Sequence, residues 1–239
     1  MTRSSSIHRC WDYFDRFYCI SLEERNDRRT SAMNQFEKIG LGGRVEFFIS
    51  RRHPADCEEG IYESHMACIR KGLEEGARRM VVFEDDVVLR RFRPRRLEAA
   101  VRFLDTTPDW DLFFLGCLVA GSERTREPAV VRIRYQSLAH AYAINRSCAE
   151  ALVLKPWRRI PFDGVMKEFG GCCFALYPSM AFQGDFSSDN LRHRGLEVFR
   201  RCLGGLRRIQ RVNEIYHRHR RVILLLHLLA AGGFLSLVL

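Results

Sequence analysis

The stretch RRMVVFEDDVVLRRF, Arg78 to Phe92, decides how this chain folds. It sets three adjacent carboxylates, Glu84, Asp85 and Asp86, between the apolar runs MVVF and VVL. β-Branched apolar runs favour a buried strand, and ionised carboxylates resist burial unless something pairs with them. The triplet therefore marks the end of a buried strand. If the strand continues through it, Glu84 and Asp86 share one face and Asp85 takes the other. Carboxylates crowded in a dry place repel, and one keeps its proton. A divalent cation such as Mg²⁺ or Mn²⁺ removes the conflict and leaves coordination places for phosphate oxygens. The alternative is a solvated strand end whose acids pair with Arg78, Arg90 or Arg91.

Working outward from this strand, apolar runs alternate with helical patterns. FYCISL, RVEFFI, MVVF, WDLFFLG, AVVRIRY, HAYAIN and CCFALYP read as strands. ERNDRRTSAMNQFEKIG reads as a loop and a helix, with Asn26 or Asp27 as cap and Gly40 at its end. IYESHMACIRKGLEEGA, RPRRLEAAVRFLD and RSCAEALVL read as further helices, the last opened by Ser147. This alternation predicts an α/β protein, a Rossmann-type sheet covered by helices on both faces. Ligands of such sheets bind beyond the carboxyl ends of the strands.

The 239 residues fit one sizeable domain, or one domain plus an appendage. Nine scattered cysteines without a Cys-x-x-Cys pair read as reduced, mostly buried thiols. The N-terminus MTRSSSIHRCWDYFDRF lacks an apolar signal core, so the sequence reads as cytoplasmic. The charge is unevenly placed. Arg192 to Arg221 holds ten Arg against Glu197 and Glu214, about +8 of the formal +10. VILLLHLLAAGGFLSLVL follows directly, long enough as a helix for about 27 Å. A basic segment leading into apolar sequence suits an anionic membrane surface, and no stacking pattern or recognition motif points to nucleic acid. The alternative is a C-terminal helix packed on the domain or on a partner. The expected organisation is a catalytic domain over 1–191, an Arg-rich amphipathic helix over 192–221 and an apolar, membrane-associating tail over 222–239.

Other candidates sit where an α/β sheet binds ligands. Ser21, Arg25 and Arg28 follow the first strand, where paired guanidinium hydrogen bonds and a helix N-terminus favour phosphate; a capped surface helix is the alternative. Ser64 and His65 are adjacent, so on a helix their side chains diverge and they form no hydrolase dyad. By itself His65 reads as a buried, hydrogen-bonded residue. Asp163, Asp185 and Asp189 lie in loops, where carboxylates are usually solvated.

Taken in order, these pieces resemble glycosyltransferase family 25, the lipopolysaccharide and lipooligosaccharide sugar transferases related to collagen galactosyltransferases. The likeness runs through CISLEERNDRR, EEGIYESHMACIRKG, VVFEDDVVL, AHAYAINRSCAEAL, PFD and YPSMAFQGDFSSDN, roughly Phe17 to Asn190. Glu58, Gly60, Ser64 and His65 fit a pattern E-x-G-C-x-x-S-H, with Ile61 in place of Cys. The resemblance implies a GT-A-like fold and inverting transfer from a nucleotide-sugar donor, often UDP-galactose, to a glycan or glycolipid hydroxyl. It implies Mn²⁺ or Mg²⁺ held by Glu84 and Asp86. Ser21, Arg25, Arg28, Ser64, His65 and Asp85 become the expected donor-site residues, and Asp163, with Asp189 in reserve, the expected base. A non-catalytic scaffold with a transferase fold and a metal-dependent nucleotidyltransferase are the competing functions.

Overall fold

The structure is a computed structural model that describes residues 9–169, 171–184, 200 and 202–238. Ten strands and six main helices build it. In chain order they are β1 (Arg16–Leu22), α1 (Asn26–Lys38), β2 (Val45–Ser50), α2 (Cys57–Glu74), β3 (Arg79–Glu84), β4 (Val87–Leu89), α3 (Pro94–Asp105), β5 (Leu112–Phe114), β6 (Leu118–Arg124), β7 (Val130–Ser137), β8 (Ala141–Asn145), α4 (Arg146–Leu152), α5 (Phe162–Phe169), β9 (Cys173–Leu176), β10 (Ala181–Gln183) and α6 (Gly205–Val238).

Eight strands form one mixed sheet in the order β2-β1-β3-β8-β5-β9-β7-β6, and β4 pairs with β10 in a small antiparallel ribbon. Around β1 the sheet is parallel, with β2 on one side and β3 on the other. β8 then runs antiparallel to both β3 and β5. Each central strand is apolar on both faces, as a sheet covered on two sides requires. Along β1, Phe17 and Cys19 pack with Phe36 of α1 and Leu97 and Phe103 of α3. Tyr18 and Ile20 face the other way, toward Met66 and Ile69 of α2, Leu152 of α4 and Met166 of α5. The two-layered cover is the α/β architecture expected. All nine cysteines are free thiols, six of them buried.

Two local expectations change. Helix α1 begins without a side-chain cap: Arg25 occupies the boundary position, and Asn26 Oδ1 instead accepts from the Arg29 guanidinium. Helix α4 is capped by Asn145, whose Oδ1 accepts from Cys148 N at 2.8 Å, with Ser147 bonded to the same oxygen.

The C-terminal helix has two halves. Its first half is bound to the domain through backbone groups. Gln210 Nε2 donates to Ala181 O at 2.8 Å, and Ser179 N donates to Glu214 Oε1 at 2.6 Å. Asn213 accepts from Val119 N and donates to Val119 O, both at 2.9 Å, so one amide satisfies a residue of the edge strand β6 in both directions. Gly116 makes this docking possible: a Cβ there would lie 1.9 Å from Ala181 O and 2.7 Å from Gln210 Nε2. From Val222 onward the helix runs on with Leu224, Leu225, Leu226, Leu228 and Leu229 exposed. Among the described residues no helix is long and apolar enough to cross a membrane.

Candidate active site

The acidic triplet lies where β3 ends. Glu84 is the last strand residue, and Asp85 and Asp86 form the turn into β4. The strict alternation expected of an unbroken strand therefore fails, because the chain turns at Asp85. All three carboxylates line one cavity of about 220 Å³. Ser21, Arg28, Ser64 and His65 line it too, so seven of the expected residues meet there.

Backbone bonds fix the turn. Glu84 N donates to His140 O at 2.9 Å, Asp85 N to Ile20 O at 3.1 Å, and Gly184 N to Asp86 O at 2.7 Å. Each carboxylate then meets a different environment. Asp85 accepts from Ser21 Oγ at 2.6 Å and pairs with Arg28 Nη1 at 3.3 Å, with both partners buried. The arginine that meets the triplet thus comes from α1, and Arg78, Arg90 and Arg91 are not in that ion pair. Asp86 Oδ2 accepts from Gln183 Nε2 at 3.0 Å, while Asp86 Oδ1 is buried and has no hydrogen-bond partner. Glu84 lies 3.4 Å from His65 Nε2.

His65 is 1 % exposed, stacked on Phe162 at 4.0 Å, and its Nδ1 lies 3.0 Å from Tyr142 Oη. Burial pushes its pKa down to about 3, so the ring is neutral and the contact with Glu84 is not an ion pair. Burial, reinforced by Asp163 and Asp85, lifts Glu84 to about 8. Burial and the Glu84 charge lift Asp86 to about 7. Asp85 is also raised by burial, with Ser21 and Arg28 working against it. Glu84 and Asp86 hold protons near neutrality unless another positive charge replaces them.

The donor set fits a hard divalent cation. Asp86 Oδ1 is an orphaned buried oxygen, and Glu84 and Asp86 are carboxylates whose charge the site does not otherwise neutralise. The triplet does not converge as a three-ligand cage. Among the described residues the one group of three acidic or His ligand atoms within 4.8 Å of one another is His53, Glu59 and Glu63. A site with few protein ligands leaves room for substrate oxygens, as sites for phosphate-bound Mg²⁺ and Mn²⁺ do.

Gly60 shapes the opposite wall. A Cβ there would meet His53 Cβ at 2.7 Å, so glycine lets α2 approach the Ser50–His53 rim. Ser64 Oγ donates to Gly60 O at 2.6 Å. Arg25 and Asp163 are not among the lining residues. Arg25 makes a two-point bond to Asp27, at 3.0 Å for each contact. Asp163 Oδ1 accepts from Tyr135 Oη and Ala139 N, and its Oδ2 accepts from Leu138 N at 3.0 Å. It clamps a turn in which Leu138 has φ +75°, a conformation unfavourable for a leucine. Asp189 and Asp185 lie outside the described residues. Sequence reasoning missed Gln183 as the partner of Asp86. Its signal was present, since Gln183 stands in the quoted YPSMAFQGDFSSDN.

No protein-family model matches the chain. Curated relatives do, two family 25 proteins among them. A Homo sapiens protein named inactive glycosyltransferase 25 family member 3 is 26% identical over 205 residues, covering 72% of this chain and 34% of that protein. A Bos taurus protein named probable inactive glycosyltransferase 25 family member 3 is 25% identical over 205 residues with the same coverage. The chain resembles glycosyltransferase family 25. It spans about a third of the length of these family 25 relatives. Among solved structures, a glycosyltransferase involved in the glycosylation of the major capsid of PBCV-1 superposes with a TM-score of 0.43 at 12% identity, over 77% of this chain and all of that one. UDP-glucose pyrophosphorylase complexed with UDP-glucose gives 0.43 at 10% identity, over 75% and 79%. Likenesses that distant carry no argument about the site.

Proposed function

We propose that this chain is a metal-dependent glycosyltransferase that moves a sugar, galactose by the family 25 resemblance, from a nucleoside diphosphate donor to a glycan or glycolipid hydroxyl. The observation that carries the proposal is the buried, partnerless Oδ1 of Asp86 on the wall of a cavity that also holds Glu84, Asp85 and Arg28. Glu84 and Asp86 would hold Mn²⁺ or Mg²⁺. When bound, the cation supplies positive charge to the departing diphosphate.

The chain's own residues do the rest. Gln183 fixes Asp86, and neutral His65, backed by Tyr142 and Phe162, fixes Glu84. Arg28 brings a second positive charge to the cavity while Asp85 and Ser21 hold its direction. Ser64 and Ser21 offer hydroxyls to the donor, and Arg25 adds charge near the start of α1. Inversion requires the acceptor oxygen to attack the anomeric carbon opposite the diphosphate. The new carbon–oxygen bond forms as the bond to the diphosphate breaks, and the acceptor's proton passes to a carboxylate. Asp163 and Asp189 are the proposed bases. Asp163 accepts three hydrogen bonds within the protein, so both of its oxygens already hold the Leu138 turn and Tyr135.

The names of the two relatives give the non-catalytic scaffold its support, yet Glu84, Asp85 and Asp86 are all present in this chain. The deciding experiment is a screen of nucleotide sugars with added Mn²⁺ and with chelator. Sugar transfer with Mn²⁺ and its loss in chelator are expected. Full activity in chelator removes the metal, and a nucleotidyl product in place of a sugar removes the transferase.

A further inference from the structure

The Arg-rich helix has a second basic neighbour that its sequence position hides. The segment Arg90–Arg96 carries Arg90, Arg91, Arg93, Arg95 and Arg96 without a single acid, and all but Arg96 are exposed. Its Arg90 N donates to Met180 O at 2.8 Å. Glu214 of α6 accepts from Ser179 N, one residue away. This segment and α6 therefore flank the same short stretch, Ser179 to Ala181. Glu214 turns its carboxylate inward onto that stretch, and Arg91 and Arg211 stand in its field. Six Arg lie on α6 between Arg207 and Arg221. The two elements carry eleven arginines and meet at Ser179–Ala181; Arg90, Arg91, Arg93, Arg95, Arg208, Arg211 and Arg221 are exposed, with Glu214 as an inward-facing counterweight.

Beyond this flank, α6 exposes apolar side chains all round. Val212, Ile215, Val222, Leu226 and Leu229, at intervals of three, seven, four and three residues, are exposed along one helical stripe, which by itself would suit a second copy of the helix. Leu224, Leu225 and Leu228 are exposed as well, at 53%, 56% and 71%. A pairing helix keeps those outer positions polar; hydrocarbon asks for no polar side. The other end of α6 is at the cavity, because Leu206 lines it.

We infer that α6 and the Arg90–Arg96 segment, which leads into the first turn of α3, together form a docking face for an anionic phospholipid surface, with the cavity at the near end of that helix. The arginines neutralise lipid phosphates and the Leu224–Leu229 segment enters the headgroup boundary without spanning the bilayer. The purpose of docking, presenting a lipid-linked acceptor to the cavity, rests on the proposed sugar transfer.

The test uses the full chain in sedimentation with vesicles of phosphatidylcholine alone and of phosphatidylcholine mixed with phosphatidylglycerol. Binding is expected to the anionic vesicles and to be weaker by about tenfold or more on the neutral ones. A variant with Arg90→Gln, Arg91→Gln, Arg93→Gln, Arg95→Gln and Arg96→Gln is expected to lose about tenfold or more in affinity although α6 is unchanged. Wild-type protein raised to about 1 M salt, where charges are screened beyond about 3 Å, should lose a similar share whatever the folding of the variant. Equal binding by the Arg90–Arg96 variant, or binding that ignores both salt and lipid charge, overturns the inference. So does a dimer in light scattering that ignores vesicles, which would make a second copy the occupant. Turnover with a water-soluble acceptor is measured on the same samples: turnover without vesicle binding defeats the docking face alone, and vesicle binding without turnover defeats the transferase alone.

Discussion

Gln183 Nε2 donates to Asp86 Oδ2 at 3.0 Å and leaves the buried Asp86 Oδ1 facing no donor. The bond spans 97 positions of sequence and fixes the carboxylate by one oxygen. Gln183→Ala is therefore expected to weaken Mn²⁺-supported turnover roughly 10–100-fold, as loss of a residue that orients a ligand does. Asp86→Asn should cost more. A Mn²⁺ titration of donor turnover checks both, and an unchanged titration in Gln183→Ala would show that Asp86 needs no orienting partner.

The raised pKa values of Glu84 and Asp86 set a sign for pH. In the metal-free protein both groups hold protons that the unfolded chain has released, from the ordinary carboxylate range up to about 7 and 8. The native state binds more protons across that window, so stability falls as pH rises through it. A cation that displaces those protons binds better at higher pH. Thermal melts should show the metal-free midpoint dropping by a few degrees between pH 5 and pH 8, a change on the order of that produced by 1 kcal/mol. Added Mn²⁺ should raise the midpoint more at pH 8 than at pH 5; the opposite order would place the cation elsewhere.

Asp85 and Arg28 form a buried pair at 3.3 Å. Removing one member leaves the other charge buried, at a cost of about 3 kcal/mol or more. Asp85→Ala is expected to be that destabilising in urea unfolding, and Asp85→Asn less so because Ser21 Oγ keeps an acceptor within reach. Equal, small effects for both would mean that water from the cavity already solvates Arg28.

Asp163 and Asp189 divide by what their loss should do. Asp163 holds Leu138 N, Ala139 N and Tyr135 Oη, and the same turn presents His140 O to Glu84 N. Asp163→Asn should lower the melting midpoint together with turnover, whereas Asp189→Asn, as loss of the base, should lower kcat on the order of a hundredfold or more. Comparing melts with steady-state kinetics separates them. A kcat loss in Asp163→Asn without loss of stability would return the base to Asp163.

Gly116 tests whether the first half of α6 belongs to the domain. With Ala181 O only 1.9 Å from where a Cβ would stand, Gly116→Ala must displace β10 or α6. The expected cost is about 1–3 kcal/mol, with faster proteolysis inside α6. Wild-type melting and cleavage in this variant would detach the helix from the core.

Much of this protein was legible as sequence. Alternating apolar runs and helical stripes gave the two-sided α/β sheet, because periodicity is a local property that burial enforces residue by residue. The ends of β1 and β3 carried Ser21 and the acidic triplet, with Arg28 in the first turn of the helix after β1, and sheet geometry alone brings neighbouring strand ends together. What the tertiary structure decided depends on partners that no local pattern encodes. The turn at Asp85 sends all three acids into one cavity, Gln183 reaches Asp86 from a ribbon strand, and Asp163 spends both oxygens on the Leu138 turn. The C-terminal helix read as an appendage because its sequence shows only charge and hydropathy. Its attachment runs through Gln210, Asn213 and Glu214, polar side chains whose partners are backbone groups of β10, β6 and Ser179, and a backbone group leaves no mark in the residue names.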